Sequence, residues 1–358
     1  MTLGKTDAGM MRALVLHAVG DARLESVPRP APGAGQVLVR VAFCGVCGSD
    51  IPRVFVKGTY HFPTVCGHEF SGMVEECGEG VTDLKPGEAA TVFPLIWCGQ
   101  CPACERGKYV QCQNYDYLGS RSDGAFAEYV VAPRRNLIRL PKGVSLEAAA
   151  MTEPAAVGLH ALRRAGGCSI GETVAIFGAG PLGLIVAQWA RAMGASQIIV
   201  FDLVPRKLAM AQELGFTLAY DARQNDPVKT VASLTRGQGA HVCVEAAGVP
   251  TTLIEALSTA RNGGRVVILG NPSADVTLPA ALISQVMRRE LNIFGTWNSE
   301  YSAAGNDDDW RAVLEAVAAG KIQLETLISH RVALGDALKA LVMMRDQSEF
   351  FSKVLLHP

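Results

Sequence analysis

Thr173-Val-Ala-Ile-Phe-Gly178-Ala-Gly180-Pro-Leu-Gly183, continuing as Leu-Ile-Val-Ala-Gln-Trp-Ala-Arg-Ala-Met-Gly194, is the stretch that decides the fold of this 358-residue chain. Thr173–Phe177 is a short apolar run that reads as a buried strand, and the residues after Gly183 read as a helix. The three glycines between them form G-x-G-x-x-G. Gly178 permits the tight turn, Gly180 lets backbone approach a pyrophosphate, and Gly183 lets the helix pack on the strand. The amides of Leu182 and Gly183 then open a helix N-terminus suited to an anion, whereas Pro181 has no amide to offer. Glycines at this spacing also make strand–helix turns that bind nothing. Asp202 weighs against that bland alternative, since it ends the strand SQIIVFD, 19 residues beyond Gly183. A carboxylate there accepts hydrogen bonds from ribose hydroxyls and repels a 2′-phosphate, favouring NAD over NADP; Arg206 and Lys207 nearby soften that preference.

Working outward from this stretch, apolar strands alternate with helical runs through HVCVEAAG, a helix near 251–261, GRVVILG and LNIFGTW. That alternation predicts right-handed βαβ units on a parallel sheet over 156–295, an α/β doubly wound domain. Upstream, 11–155 is β-rich, with alternating runs such as QVLVRVAFCGV, SGMVEECGEGV and FAEYVVAP broken by Gly, Pro and Asp-Gly. The tail 296–358 returns to helix and ends in a strand-like KVLLHP, so it is expected to fold back onto the first domain and make it discontinuous. Residues 1–10 read as an unstructured leader, because the periodic pattern begins only at Met11.

The formal net charge is -1 and no basic block exists, so nucleic-acid binding has no support. The start shows no apolar segment with a cleavage site. The charge-free stretch Thr173–Ala190 is cut by Gly178, Gly180, Pro181 and Gly183, so no membrane span is expected and a cytoplasmic protein is. Ten cysteines in that setting point to metal or catalytic use in preference to disulfides.

Cys98-x2-Cys101-x2-Cys104-x7-Cys112 puts four thiols in a loop that also holds Gly99, Pro102 and Gly107. Four thiolates can close a tetrahedron around one zinc, which leaves no position for substrate and marks a structural site. Four free cysteines or two disulfides are the alternatives. A second set is dispersed: Cys47 in CGSD, His68 and Glu69 in GHEF, and Glu153 in TEPAAVG. A thiolate, an imidazole and a carboxylate can hold zinc and leave one position open, as catalytic zinc needs. Taken singly, each is an ordinary structural or solvated residue; in combination they suit a metal ion. Cys44 and Cys66 read as small core residues.

GVCGSD, GHEFSG, the four-cysteine loop, FAEYVV, EPxxVGLHAL, GAGPLG and VEAAG occur here in the order found in zinc-containing medium-chain dehydrogenases, and the chain resembles that family from Met11 to Pro358. Glu69 after His68, and Glu153 where the archetypal members carry a cysteine ligand, resemble the polyol branch. The resemblance implies a GroES-like β-barrel catalytic domain (11–155 and 296–358) around a Rossmann coenzyme domain (156–295). It implies that Cys47, His68 and Glu69 are catalytic zinc ligands, with Glu153 binding zinc directly or holding its water. Asp202 and Lys207 match adenosine-ribose contacts and Leu182 the pyrophosphate contact; Gly270 and the Gly295-Thr296-Trp297 stretch fall near the nicotinamide. A homodimer or homotetramer joined through the coenzyme domains, by edge strands around LNIFGTW, is also implied.

The expected reaction moves a hydride between a secondary alcohol of a polyol or polyol phosphate, such as galactitol 1-phosphate, and NAD. Ser49, two residues after Cys47, is placed to relay the departing proton, or else simply caps a turn beside Asp50. A phosphorylated substrate needs a cation, and Arg53, Lys57 and Arg121 lie in matching segments, though each also reads as solvated surface. Trp97 and Trp297 suit either a pocket wall or the core. Unphosphorylated sorbitol or xylitol, butanediol and threonine are rival substrates. A non-catalytic nucleotide-binding protein is the rival from another class.

Overall fold

The computed structural model describes residues 9–305 and 307–358. Of the expected leader, residues 1–8 lie outside the described residues, while Gly9 is a turn and Met10 opens the first strand, Met10–Ala18. The chain divides into two compact units: Met1–Glu153 with Glu300–Ala319 and Ile328–Pro358, and Pro154–Ser299 with Gly320–Leu327.

The second unit is a six-stranded parallel sheet. Its strands run in the order Ala219–Asp221, Gln197–Asp202, Thr173–Phe177, Ala240–Glu245, Ala260–Ile268, Asn292–Gly295. Numbered along the chain, that is 3-2-1-4-5-6, the doubly wound Rossmann order. The first strand, Thr173–Phe177, is buried at every residue because helices cover both faces of such a sheet. Phe177 and Phe201 stack in the core with ring centroids 5.5 Å apart. The strand order reverses beside Thr173–Phe177, and ligands of open α/β sheets bind at the carboxyl ends of strands at such a point. Gln188 ties the excursion Gly320–Leu327 to this unit: its Nε2 donates to the Gln323 carbonyl (3.2 Å) and its Oε1 accepts from the Gln323 amide (2.7 Å).

The first unit is built around the strand Gln36–Val46, the QVLVRVAFCGV run. It pairs antiparallel with Glu69–Cys77, Tyr129–Pro133 and the C-terminal strand Lys353–His357, in a seven-stranded sheet. The C-terminal strand also pairs in parallel with Ile328–Ala333. A smaller sheet holds Met10–Ala18 between Asp21–Pro28 and Thr64–Val65. Val37, Val39, Cys44, Phe70, Phe126 and Leu356 are among the side chains that fill one core. Among the described residues no helix is long and apolar enough to cross a membrane.

Candidate metal and dinucleotide sites

Strand register assembles the dispersed metal-ligand set. Gly45 pairs with Glu69, and on the other side Val46 pairs with Val354. The residues just past Val46, just before and at Glu69, and just before Val354 therefore meet at one end of the sheet. Ligand atoms of Cys47, His68 and Glu69 lie within 4.8 Å of one another, close enough to meet one ion. His68 and Glu69 are buried and Cys47 is half-buried. Gly45 is required here, because a Cβ on it would sit 2.3 Å from Glu69 Oε2.

Three neighbours that the motifs did not mark hold these side chains. Asp50 is fully buried; its Oδ2 accepts the Cys47 amide (3.0 Å) and its Oδ1 lies 3.5 Å from His68 Nδ1. That Nδ1 is buried and makes no hydrogen bond, so the contact is an electrostatic one that orients the ring and leaves Nε2 as the nitrogen for a ligand role. Burial alone would raise the Asp50 carboxyl, but His68 and the Arg53 guanidinium, 2.5 Å away, more than reverse it and hold it below its ordinary value. Lys353 is the second neighbour: its Nζ donates to Glu69 Oε2 at 2.6 Å and to the Val46 carbonyl at 3.3 Å, with both charges buried. The third, Tyr117, packs edge-on against His68 (5.7 Å) and donates to Glu153 Oε1 (3.4 Å). Glu153 stays outside the tight ligand group; burial pushes its carboxyl up to about 7. Ser49 is exposed at the N-cap position of the short helix Asp50–Pro52 and makes no side-chain cap, so the turn-capping alternative has no support.

The four-cysteine loop closes on itself. Sulfur separations are 3.5 Å (Cys101–Cys104), 3.9 Å (Cys98–Cys104) and 3.9 Å (Cys101–Cys112). A disulfide needs about 2.05 Å, so none is formed. The edge of a tetrahedron with Zn–S near ~2.3 Å is about 3.8 Å, which these separations fit. Hydrogen bonds from backbone, Gln113 first and then Cys104, hold the Cys101 thiol down at about 6, whereas burial pushes the adjoining Cys104 thiol up to about 12.

In the second unit, Gly178 has φ of 111°, and a Cβ on Gly183 would lie 1.8 Å from the Gly178 carbonyl oxygen. A Cβ on Gly180 meets nothing within 4 Å. Space beside Gly180, at the start of the helix Pro181–Ala192, which has no side-chain cap, is a cradle that fits a pyrophosphate. Asp202 Oδ2 accepts the Ala179 amide (2.7 Å) and Lys207 Nζ stands 3.9 Å away, while Arg206 pairs with Glu213 (2.6 Å). Gly270 packs against the Gly248 amide and Glu245, and the Thr296 hydroxyl is buried with no hydrogen-bond partner. Trp97 is core, stacked on Tyr109 (4.2 Å), whereas Trp297 is 64% exposed. Cys44 and Cys66 are buried.

Two family models match this chain: the alcohol dehydrogenase GroES-like domain over residues 33–142 and zinc-binding dehydrogenase over 181–319. It is 36% identical to galactitol 1-phosphate 5-dehydrogenase of Escherichia coli K12, over 97% of this chain and all of that one. The chain belongs to the zinc-binding alcohol dehydrogenases. Sorbitol dehydrogenase of Bacillus subtilis is 31% identical, covering 97% of each chain. The crystal structure of galactitol-1-phosphate dehydrogenase from E. coli superposes with a TM-score of 0.90 at 36% identity, covering 97% of this chain and all of that one. A zinc-binding dehydrogenase from Sinorhizobium meliloti 1021 bound to NADP gives 0.90 at 33%, covering 98% and 100%. As a member of this family the chain is a zinc- and nicotinamide-dependent alcohol dehydrogenase acting on a small-molecule alcohol, which sets aside the non-catalytic alternative.

Proposed function

We propose that this dehydrogenase oxidises a secondary alcohol of a polyol phosphate of the galactitol 1-phosphate type with NAD, using Cys47, His68 and Glu69 to hold the catalytic zinc. The observation that carries this reading is the register that gathers those three donors at one strand end. Sulfur, nitrogen and oxygen donors in one buried group suit zinc and leave a coordination position for substrate. Zinc held there would supply a Lewis acid that makes the substrate hydroxyl acidic, and a bound nicotinamide would supply the acceptor for the hydride that leaves the carbinol carbon.

The chain's own residues do the rest. Asp50 fixes the His68 ring, and Lys353 holds Glu69 Oε2 so that Oε1 is left for the metal. The exposed Ser49 hydroxyl, beside Cys47, carries the hydroxyl proton towards solvent. Glu153, pushed up to about 7 by burial and anchored by Tyr117, stands next to the same group. Gly180 and the first amides of Pro181–Ala192 seat the pyrophosphate, and Asp202 faces the adenosine ribose with Lys207 beside it. The Asp202 carboxylate would repel a 2′-phosphate, which supports NAD over NADP. Gly270 keeps backbone close at the far strand ends, and the unpartnered Thr296 hydroxyl is offered to the nicotinamide amide. Cys98, Cys101, Cys104 and Cys112 hold a second, structural zinc.

All ten cysteines are unpaired, which supports a reducing cytoplasmic location. A homodimer or homotetramer is supported by the outer strand Asn292–Gly295, where Ile293 is 46% exposed, with Met287 (73%) and Trp297 also exposed close by in sequence. Unpaired, apolar edges of this kind are ordinarily covered.

The test is NADH appearance with galactitol 1-phosphate, galactitol, sorbitol, xylitol, butanediol and threonine, before and after chelation. The proposal predicts the highest kcat/KM for the phosphorylated polyol and loss of that rate on chelation. A higher kcat/KM for any unphosphorylated alcohol would overturn the substrate assignment.

A further inference from the structure

Arg121 is a cation packed against two aromatic rings with no carboxylate partner among the described residues. Its guanidinium carbon lies 3.8 Å from the centroid of the Tyr60 ring and 4.4 Å from that of Tyr115, so both rings pack against the group. Cation–π contact of this kind fixes the plane and leaves the guanidinium edge, where the N–H donors lie, for a partner. No carboxylate among the described residues pairs with it, and its Nε is buried without a hydrogen-bond partner. Arg53, by contrast, is already matched by Asp50 at 2.5 Å.

The turn that carries Arg121 is built onto a metal-ligand segment. A Cβ on Gly119 would lie 2.5 Å from the Gly67 carbonyl oxygen and one on Gly124 would lie 2.1 Å from it, so the 119–124 turn presses on the residue before His68. The Arg121 amide donates to the Tyr117 carbonyl (2.9 Å), and the rings step from His68 to Tyr117 (5.7 Å) and from Tyr117 to Tyr115 (6.4 Å). His61 Nε2 sits 2.9 Å from the Arg121 carbonyl oxygen, which secures the outer side of the turn. An unmatched guanidinium, on a turn whose glycine backbone is packed against the residue before His68, suits a dianionic phosphate ester, which accepts paired N–H donors in one plane.

We propose that Arg121, packed against the Tyr60 and Tyr115 rings, anchors the phosphate of the substrate and sets the preference for phosphorylated over free polyols. This rests on the substrate reading above. The test compares kcat/KM for galactitol 1-phosphate and for galactitol in the wild type, Arg121→Met and Arg121→Lys, with zinc content and melting temperature as checks on folding. The expected result is an about 100-fold fall in the phosphate-to-free ratio for Arg121→Met and a smaller fall for Arg121→Lys, which keeps charge but not the planar fork. A ratio that stays within threefold of wild type in Arg121→Met would overturn the anchor. Should Arg121→Met not fold, Tyr60→Leu decides: a raised KM for the phosphate ester with kcat nearly constant supports the anchor, and an unaltered KM overturns it. A wild type with no preference for the phosphate ester would instead overturn the substrate reading itself.

Discussion

Lys353 and Glu69 stand 284 positions apart in sequence and 2.6 Å apart in space, two opposite charges buried beside a thiol and an imidazole. Removing one partner of a buried pair costs about 3–5 kcal/mol because the other charge is stranded. Lys353→Met is therefore expected to destabilise the zinc-free protein by about that much, and the zinc-loaded protein by clearly less, since the metal then partners Glu69. Denaturant unfolding with and without chelator measures both; an equal penalty in the two states would show that Glu69 does not turn to the metal. At Ser49, replacement by Ala is expected to lower turnover about tenfold or more with zinc content retained, as loss of a proton relay does. Unchanged turnover would contradict the relay. The grouping of Cys47, His68 and Glu69 was legible in the sequence because each sits in a short motif of distinctive chemistry. Asp50, Lys353 and Tyr117 were not, since an aspartate in a turn, a lysine opening a strand and a tyrosine in a loop look ordinary until register brings them to the metal group.

At the scale of elements, the glycine turn separates ligand-driven from packing-driven glycine. Gly183→Ala would push a methyl to 1.8 Å from the Gly178 carbonyl oxygen, so the turn must open and thermal stability must drop. Gly180→Ala meets nothing in the protein and has an ordinary φ of -68°, so the fold should be kept while NADH binding weakens. Melting temperature and fluorescence titration with NADH check the pair; a Gly180→Ala protein that binds NADH like wild type would contradict a pyrophosphate at that spot. The strands of the parallel sheet were readable because burial on both faces writes continuous apolar runs, and Gln36–Val46 because its alternation is long. The strand Ile328–Ala333 is not written in the sequence: it alternates weakly, only Ile328 in it is buried, and it gains its place by pairing with Lys353–His357. Metal loops such as 98–112 are legible for a different reason, that four thiols in a short loop have few other uses.

For the whole molecule, the outer strand Asn292–Gly295 and the neighbouring helix Ala280–Arg288 carry the claim of self-association. Ile293→Asp introduces a charge on that edge, and light scattering is expected to show a smaller assembly than the wild type forms at the same concentration. An unchanged mass would place the contact elsewhere. The two-unit organisation gives each partner of the reaction its own scaffold: a β-sheet unit that gathers metal donors at strand ends, and a doubly wound unit that offers a glycine turn at its switch point. Catalysis as proposed depends on the first of these holding zinc. Anomalous X-ray diffraction at the zinc edge, on crystals of protein purified without chelator, tests it most directly. Two peaks per chain are predicted, one bounded by Cys98, Cys101, Cys104 and Cys112 and one bounded by Cys47, His68 and Glu69. A peak at the four-cysteine loop alone, in protein that still reduces NAD, would contradict the account.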